Sequence, residues 1–282
     1  MVNINGTLVD NYTKQLSLEN RGYKVGDALF ETLKVVNSTI LFWEDHYFRL
    51  MASMRILRME IPMTFTMEFL EQEILKTIAA NQFNNLAVRV RLNIDRGEGG
   101  KYAPEHHSIG YSILTERLEE GFYNILKGDH YQVDLFKDHF VAPGLLSTLK
   151  TNNKVLHVLG SIYAKDNDLD NCLLLNTNKH VVEALNGNVF LVTGTTVKTP
   201  PLEDGCLKGV MRKQVLELLK QEGTYSIEEV SISPFELLKA DELFITNVIQ
   251  GLQPVGIYRK KTFKNTVSSA LVERLNAKIG TN

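Results

Sequence analysis

A lysine, a glutamate and three polar clusters in this chain are of the types and spacings that do covalent and anion-binding chemistry. Lys150 stands in GLLSTLKTNNK (144–154), among small and polar residues just ahead of a helix-like run. A neutral amine is a nucleophile and a proton carrier, and burial near other cations moves a lysine toward that state. Glu183, in HVVEALNGNVF (180–190), is the sole acidic residue between Asp170 and Thr199. An acid isolated inside apolar strands either faces water or meets a buried cation, such as a protonated ring nitrogen. EDGCLKGVMRKQVLELL (203–219) opens an amphipathic helix at Gly209, with Val210, Val215, Leu216 and Leu219 inward. The amides of a helix start form an anion site, and a glycine there lets a phosphate approach. FITNVIQGLQPV (244–255) ends an apolar strand in Thr246-Asn247, both able to donate to a phosphate. EDHYFRL (44–50) sets Arg49 and His46 on one helical face, and arginine is the natural fork for phosphate. Taken singly, each has an ordinary explanation: a surface amine, a turn into a helix, a polar turn, a solvated arginine.

Other chemistries find no support. RGEGGKY (96–102) is too short between its glycines for a nucleotide-binding loop, and Tyr102 stands where such a loop needs Ser or Thr. His106 and His107 are adjacent and cannot share one side of a strand. No His-x-x-x-His, Cys-x-x-Cys or Gly-x-Ser-x-Gly occurs, so neither a metal site nor an esterase elbow is expected. The chain has 282 residues, 44% hydrophobic and 23% charged, which suits a globular protein with a sizeable core. A net charge of −2 makes no case for nucleic acid or an anionic membrane. Cys172 and Cys206 are too few for a disulfide framework. No apolar run reaches membrane-spanning length and MVNINGTLVD lacks a signal pattern, so a cytoplasmic protein is expected. The Asn-x-Ser/Thr sites at Asn5, Asn11 and Asn37 are then accidental.

The elements that must position these residues can be read from periodicity. Strands are expected at 2–9 and as a hairpin over 31–42 around Asn37-Ser38, with helices over 44–59 and 66–80. LAVRVRLNID (86–95) alternates like a strand with one wet face, and 107–114 reads as its neighbour. TERLEEG, charged and ended by glycine, marks a boundary: a small domain over 1–115, a linker over 116–122 and a larger domain over 123–282. Beyond it come short strands near 122–135, a helix over 153–165, and strands at 171–176, 181–183 and 188–193. Helices over 209–221 and 266–278 flank strands at 225–231, 241–246 and 252–257. Without strict strand–helix alternation the class is α+β, α/β in places.

The order RGYKVGDALFET, HYFRL, RVRLNIDRGEGGKY, LKTNNK, VVEALNGNVF, TPPLEDGCLKGVMR and ADELFITN...QPV closely resembles the class IV aminotransferase family of pyridoxal-phosphate enzymes across nearly the whole chain. That family includes branched-chain and D-amino-acid aminotransferases and 4-amino-4-deoxychorismate lyase. The resemblance implies two domains with pyridoxal 5'-phosphate in the cleft between them, a small-molecule amino substrate and a homodimer. By the same resemblance Lys150 is the Schiff-base lysine and proton shuttle, and Glu183 the partner of the pyridine nitrogen. Arg49, the amides of Val210 and Met211, and Thr246-Asn247 would form the phosphate cup.

Two segments lean toward the lyase, which forms p-aminobenzoate and pyruvate. DRGEGGKY resembles the lyase's Arg-Gly-x-Gly-Gly-Arg-Gly-Tyr loop, which marks Arg96, Lys101 and Tyr102 as substrate-side candidates, and TNVIQGLQPV resembles its Asn-containing phosphate strand. Departures are Lys101 in place of arginine, a missing glycine before Tyr102, and Ala28 in place of a customary glycine. An aminotransferase of branched-chain or D-amino acids is the alternative. A third reading, a relative without turnover, would be marked by loss of the lysine or its acid, and both are present.

Overall fold

A computed structural model describes residues 1–10, 16–124 and 129–280. Asn11 and part of the strand region expected near 122–135 lie outside the described residues. Contacts divide the chain into two compact units: Met1–Gly121 with Lys150–Asn153, and Phe122–Leu149 with Lys154–Asn282.

The first unit opens with a hairpin of β1 (Val2–Ile4) and β2 (Thr7–Val9), then the short helix α1 (Arg21–Val25). A second hairpin follows, β3 (Ala28–Val36) and β4 (Thr39–Ile40). Its turn residues Asn37 and Ser38 both take positive φ, 49° and 62°, the conformation that matches the twist of the strands they join. Helices α2 (Trp43–Ile56) and α3 (Met67–Ala80) come next, then the long strands β5 (Ala87–Arg96) and β6 (Ile109–Leu118). The sheet order is β2-β1-β6-β5-β3-β4. Val88, Val90, Leu92 and Ile94 on β5 are wholly buried, while Arg89, Arg91 and Asn93 alternate onto the other face. α2 and α3 cover the apolar face, and Thr66 caps α3 by accepting from the Phe69 amide at 3.2 Å. Residues 115–118, with Glu116 and Arg117 charged, continue β6 because they pair in register with Ala87 to Val90, a partner the local composition does not reveal.

The second unit contains β7 (Gln132–Val141), α4 (Val155–Asp166), β8 (Asn171–Asn176), β9 (Val181–Ala184), β10 (Gly187–Thr193) and β11 (Thr196–Thr199). It continues with α5 (Val210–Glu222), β12 (Ser226–Glu229), β13 (Glu242–Asn247), β14 (Gly251–Pro254), β15 (Ile257–Tyr258), β16 (Lys261–Thr262) and α6 (Thr266–Gly280). β7, β8, β9 and β10 are consecutive in one sheet, and β13 also pairs with β10. β7–β8 and β11–β12 are parallel and β8–β9 and β10–β13 antiparallel, the mixed pairing of an α+β fold. One sheet face carries a core including Leu173, Leu175, Val189, Leu191, Leu243 and Ile245. The other carries Phe136, Cys172 and Leu174 against Ala164 of α4. Among the described residues, no helix is long and apolar enough to cross a membrane.

Candidate active site

Lys150 owes its place in the first unit to a vacant strand edge. β4 pairs only with the far end of β3, which leaves the Ala28–Phe30 end open on that side. Residues 150–152 fill it as an antiparallel extension: the Phe30 amide donates to the Lys150 carbonyl at 2.9 Å and the Asn152 amide to the Ala28 carbonyl at 3.0 Å. Directly paired residues share a face, and the Lys150 ammonium accordingly lies 4.4 Å from the centre of the Phe30 ring. The guanidinium of Arg91 stands 4.0 Å from the same ring centre, so two cations meet one aromatic side chain. Gly26, at φ 69°, lies against Asn153. A Cβ there would stand 2.4 Å from the Asn153 side-chain oxygen, so a larger residue would have to displace that carboxamide and take a left-handed backbone.

The opposite face of β3 carries Glu31, buried with His46 and Arg49 of α2. Arg49 holds the carboxylate through Nε at 2.8 Å and Nη2 at 2.5 Å, and His46 Nδ1 meets it at 2.8 Å. Burial pushes the Glu31 carboxyl up, but the Arg49 guanidinium and the His46 contact outweigh it and hold it at about 2. His46 is pushed down, first by burial and further by the positive charges of Arg49 and Lys150, against the pull of Glu31. Its Nε2 is buried without a partner among the described residues.

In the second unit the polar residues form a row. Glu183 of β9 pairs with Asn188 of β10, and Asn188 pairs with Thr246 of β13. The three side chains therefore stand side by side on one sheet face. Each is nearly buried, at 6%, 3% and 2% exposure. Glu183 accepts from the Leu207 amide at 2.9 Å through Oε2, and its Oε1 lies 3.2 Å from His157 Nε2 of α4. Burial lowers the nearby Lys154 amine, against the attraction of Glu183. Asn188 donates to the Leu207 carbonyl at 2.8 Å. Two residues on, Gly209 precedes Val210 and Met211 at the start of α5, where no side chain caps the helix. A Cβ on Gly209 would stand 2.0 Å from the Asn188 side-chain oxygen, so the helix start lies directly on the row. The Thr246 hydroxyl is buried with no partner among the described residues. The Asn247 carboxamide turns back to accept from the Ile249 and Gln250 amides at 3.1 and 2.9 Å.

The glycine-rich loop is a stapled structure. Arg96 is buried, with Nε on Asp27 at 2.9 Å, Nη1 on the Arg58 carbonyl at 3.0 Å and near His107, and Nη2 on the Leu57 carbonyl at 2.5 Å. Arg21, joined to the same Asp27 oxygen, donates to the carbonyls of Gly99, Lys101 and Tyr102. The Lys101 and Tyr102 side chains are exposed, Tyr102 at 91%. Glu31, Asn188, His157 and Arg21 join these contacts although none is among the site residues expected from the sequence. Asn188 carried the same signal that singled out Glu183, a polar residue inside an apolar strand. Among the described residues, no group of three or more His, Cys, Asp or Glu could hold a metal ion.

The buried carboxylate of Glu183, the uncapped start of α5 and the unpartnered Thr246 hydroxyl therefore lie along one row of the second unit. The family described as amino-transferase class IV matches residues 28–258, and the chain belongs to it: it is an enzyme of the pyridoxal-phosphate-dependent lyase or aminotransferase class. A provisionally named branched-chain-amino-acid aminotransferase of Methanocaldococcus jannaschii is 28% identical over 98% of this chain and 93% of its own length. The aminodeoxychorismate lyase of Vibrio harveyi is 27% identical over 94% of this chain and 95% of its own. In fold, the branched-chain aminotransferase of the thermophilic archaeon Thermoproteus uzoniensis, solved with norvaline, superposes with a TM-score of 0.85 at 21% identity, over 99% of this chain and 93% of that one.

Proposed function

We propose that the chain binds pyridoxal 5'-phosphate and acts as a 4-amino-4-deoxychorismate lyase, releasing p-aminobenzoate and pyruvate. The observation that carries the cofactor reading is the row Glu183, Asn188 and Thr246 beneath the uncapped start of α5. The donor set fits the group. The Thr246 hydroxyl and the amides of Val210 and Met211 suit a phosphate ester, and Gly209 lets the helix start sit against Asn188. Glu183, an almost buried acid, suits a protonated pyridine nitrogen. Once bound, the cofactor supplies an electron sink for a carbanion next to the substrate nitrogen.

The residues then divide the work. Glu183 keeps a proton on the ring nitrogen. Arg49 supplies positive charge toward the phosphate, and the α5 amides and Thr246 donate hydrogen bonds to it. Glu31 and His46 fix the Arg49 fork, while the Asn247 carboxamide is committed to its own turn through Ile249 and Gln250. The Lys150 amine would hold the cofactor's aldehyde carbon, and it is the base placed to move the proton on the substrate carbon that bears the amine. In the lyase reading the adjacent enolpyruvyl C–O bond then breaks with its electron pair on oxygen, the ring becomes aromatic, and the released enolate takes up the proton that Lys150 removed, giving pyruvate. Lys101 and Tyr102, held at the mouth of the stapled loop, meet the substrate, and Arg96 sets the loop's shape.

The lyase reading is supported by the likeness of DRGEGGKY and TNVIQGLQPV to the lyase pattern and by the Vibrio harveyi relative. A branched-chain or D-amino-acid aminotransferase is the second reading, favoured by the Methanocaldococcus jannaschii relative. Assaying the same preparation with aminodeoxychorismate, and with leucine or D-alanine plus 2-oxoglutarate, separates them. p-Aminobenzoate without amino transfer supports the lyase, and the reverse moves the chain to the aminotransferases. The partner is a second copy of the chain. Val155, Val158, Leu159 and Ile162, on one face of α4 at helical spacing, are 73%, 54%, 39% and 52% exposed. Leu145 and Leu146 add exposed apolar surface at 62% and 65%, and such a surface suits burial against another subunit.

A further inference from the structure

We infer that Asn188 is a positioning residue that holds Glu183 and the start of α5 in one fixed arrangement, by gripping the Leu207 peptide together with Glu183. The inference rests on the cofactor reading above only for its consequence; the geometry stands by itself. Leu207 is held from both sides: its amide donates to Glu183 Oε2 at 2.9 Å, and its carbonyl accepts from Asn188 Nδ2 at 2.8 Å. The Gly209 amide donates to the same carbonyl at 2.8 Å, which sets the turn that launches α5. On the sheet, Asn188 is the pairing partner of Glu183 on one side and of Thr246 on the other. Its side-chain oxygen occupies the space that a Cβ on Gly209 would need. One carboxamide thus lies against the acid's strand, the hydroxyl's strand and the helix start.

Without Asn188, the Leu207 carbonyl loses its buried donor and the turn can swing. Two losses follow together: Glu183 loses the amide that fixes its Oε2, and the start of α5 loses its fixed place against the row. An asparagine that merely filled space would produce neither effect selectively.

The test compares wild type, Asn188→Ala and Asn188→Asp by hydrogen exchange on the cofactor-free protein, and by affinity for pyridoxal phosphate and for pyridoxal. In Asn188→Ala, exchange over 205–212 should rise about tenfold, the scale of one lost buried hydrogen bond, while β8 and β10 keep their protection. Affinity should fall about tenfold for both pyridoxal compounds, because both ends of the site are released. Asn188→Asp keeps the volume but sets a negative charge beside the helix start, so pyridoxal phosphate should weaken more than pyridoxal. Unchanged exchange over 205–212 in either variant overturns the inference, and so does uniformly faster exchange across the second unit. If wild type binds neither compound, the cofactor reading fails, and the exchange result still decides the role of Asn188. Should Asn188→Ala not fold, the isosteric Asn188→Asp carries both measurements.

Discussion

Lys150 and Glu183 are conspicuous because each is the wrong residue for its surroundings, a cation set against an aromatic ring and an acid inside an apolar strand. Lys150→Ala should abolish turnover and leave cofactor held through the phosphate contacts; measurable turnover in that variant would remove Lys150 from the chemistry. Glu183→Ala should lower kcat by about a hundredfold, the usual cost of removing one preorganised charge, and an unchanged kcat would contradict its role. The Glu31 carboxyl makes a separate prediction about pH. Its folded value of about 2 lies below the ordinary 4.5, so the unfolded chain binds more protons between the two. Its contribution is therefore complete above pH 4.5 and is lost as pH falls toward 2. Thermal scans should show wild type losing Tm over that window more steeply than Glu31→Gln. Parallel curves would show that the Arg49 pair adds nothing to stability.

Among the elements, those with a strong period were legible in the chain. β5 declared itself through buried Val88, Val90, Leu92 and Ile94 alternating with Arg89, Arg91 and Asn93, and α3 through Leu70, Ile74 and Ile78 on one buried face. What stayed hidden depends on partners far along the chain. Arg96 was a substrate-side candidate, and its guanidinium is held by Asp27, 69 residues away. The extension of β6 to Leu118 exists because Ala87 and Val88 pair with it, and Lys150–Asn153 groups with the first unit because an edge of β3 is vacant. No local pattern encodes such pairings. The start of α5 was legible as a glycine before an amphipathic run, but its contact with Asn188 was not. Gly209→Ala should therefore cost about 1–3 kcal/mol of stability through overpacking and weaken pyridoxal phosphate binding. Denaturant titration and a binding isotherm check it, and wild-type values for both would mean the helix start is not pressed onto the row.

At the scale of the whole molecule, the α+β class followed from strands and helices without strict alternation and the family from the order of motifs, and the match over residues 28–258 agrees with the family. The apolar face of α4 could not be read in advance, because Val155, Val158, Leu159 and Ile162 look in sequence like an ordinary buried stripe, yet they are exposed. Val158→Asp with Ile162→Asp should convert a dimer to a monomer by light scattering. A monomeric wild type, or a dimer that survives both changes, would assign that face to something else. The central claim is that one amine carries the cofactor, and the most direct measurement fixes that bond chemically. The protein is incubated with pyridoxal phosphate, treated with borohydride, digested and mapped by mass spectrometry. The account predicts a pyridoxyl-phosphate adduct on the peptide containing Lys150, absent in Lys150→Ala. A label confined to other lysines, or none in protein saturated with cofactor, would contradict it.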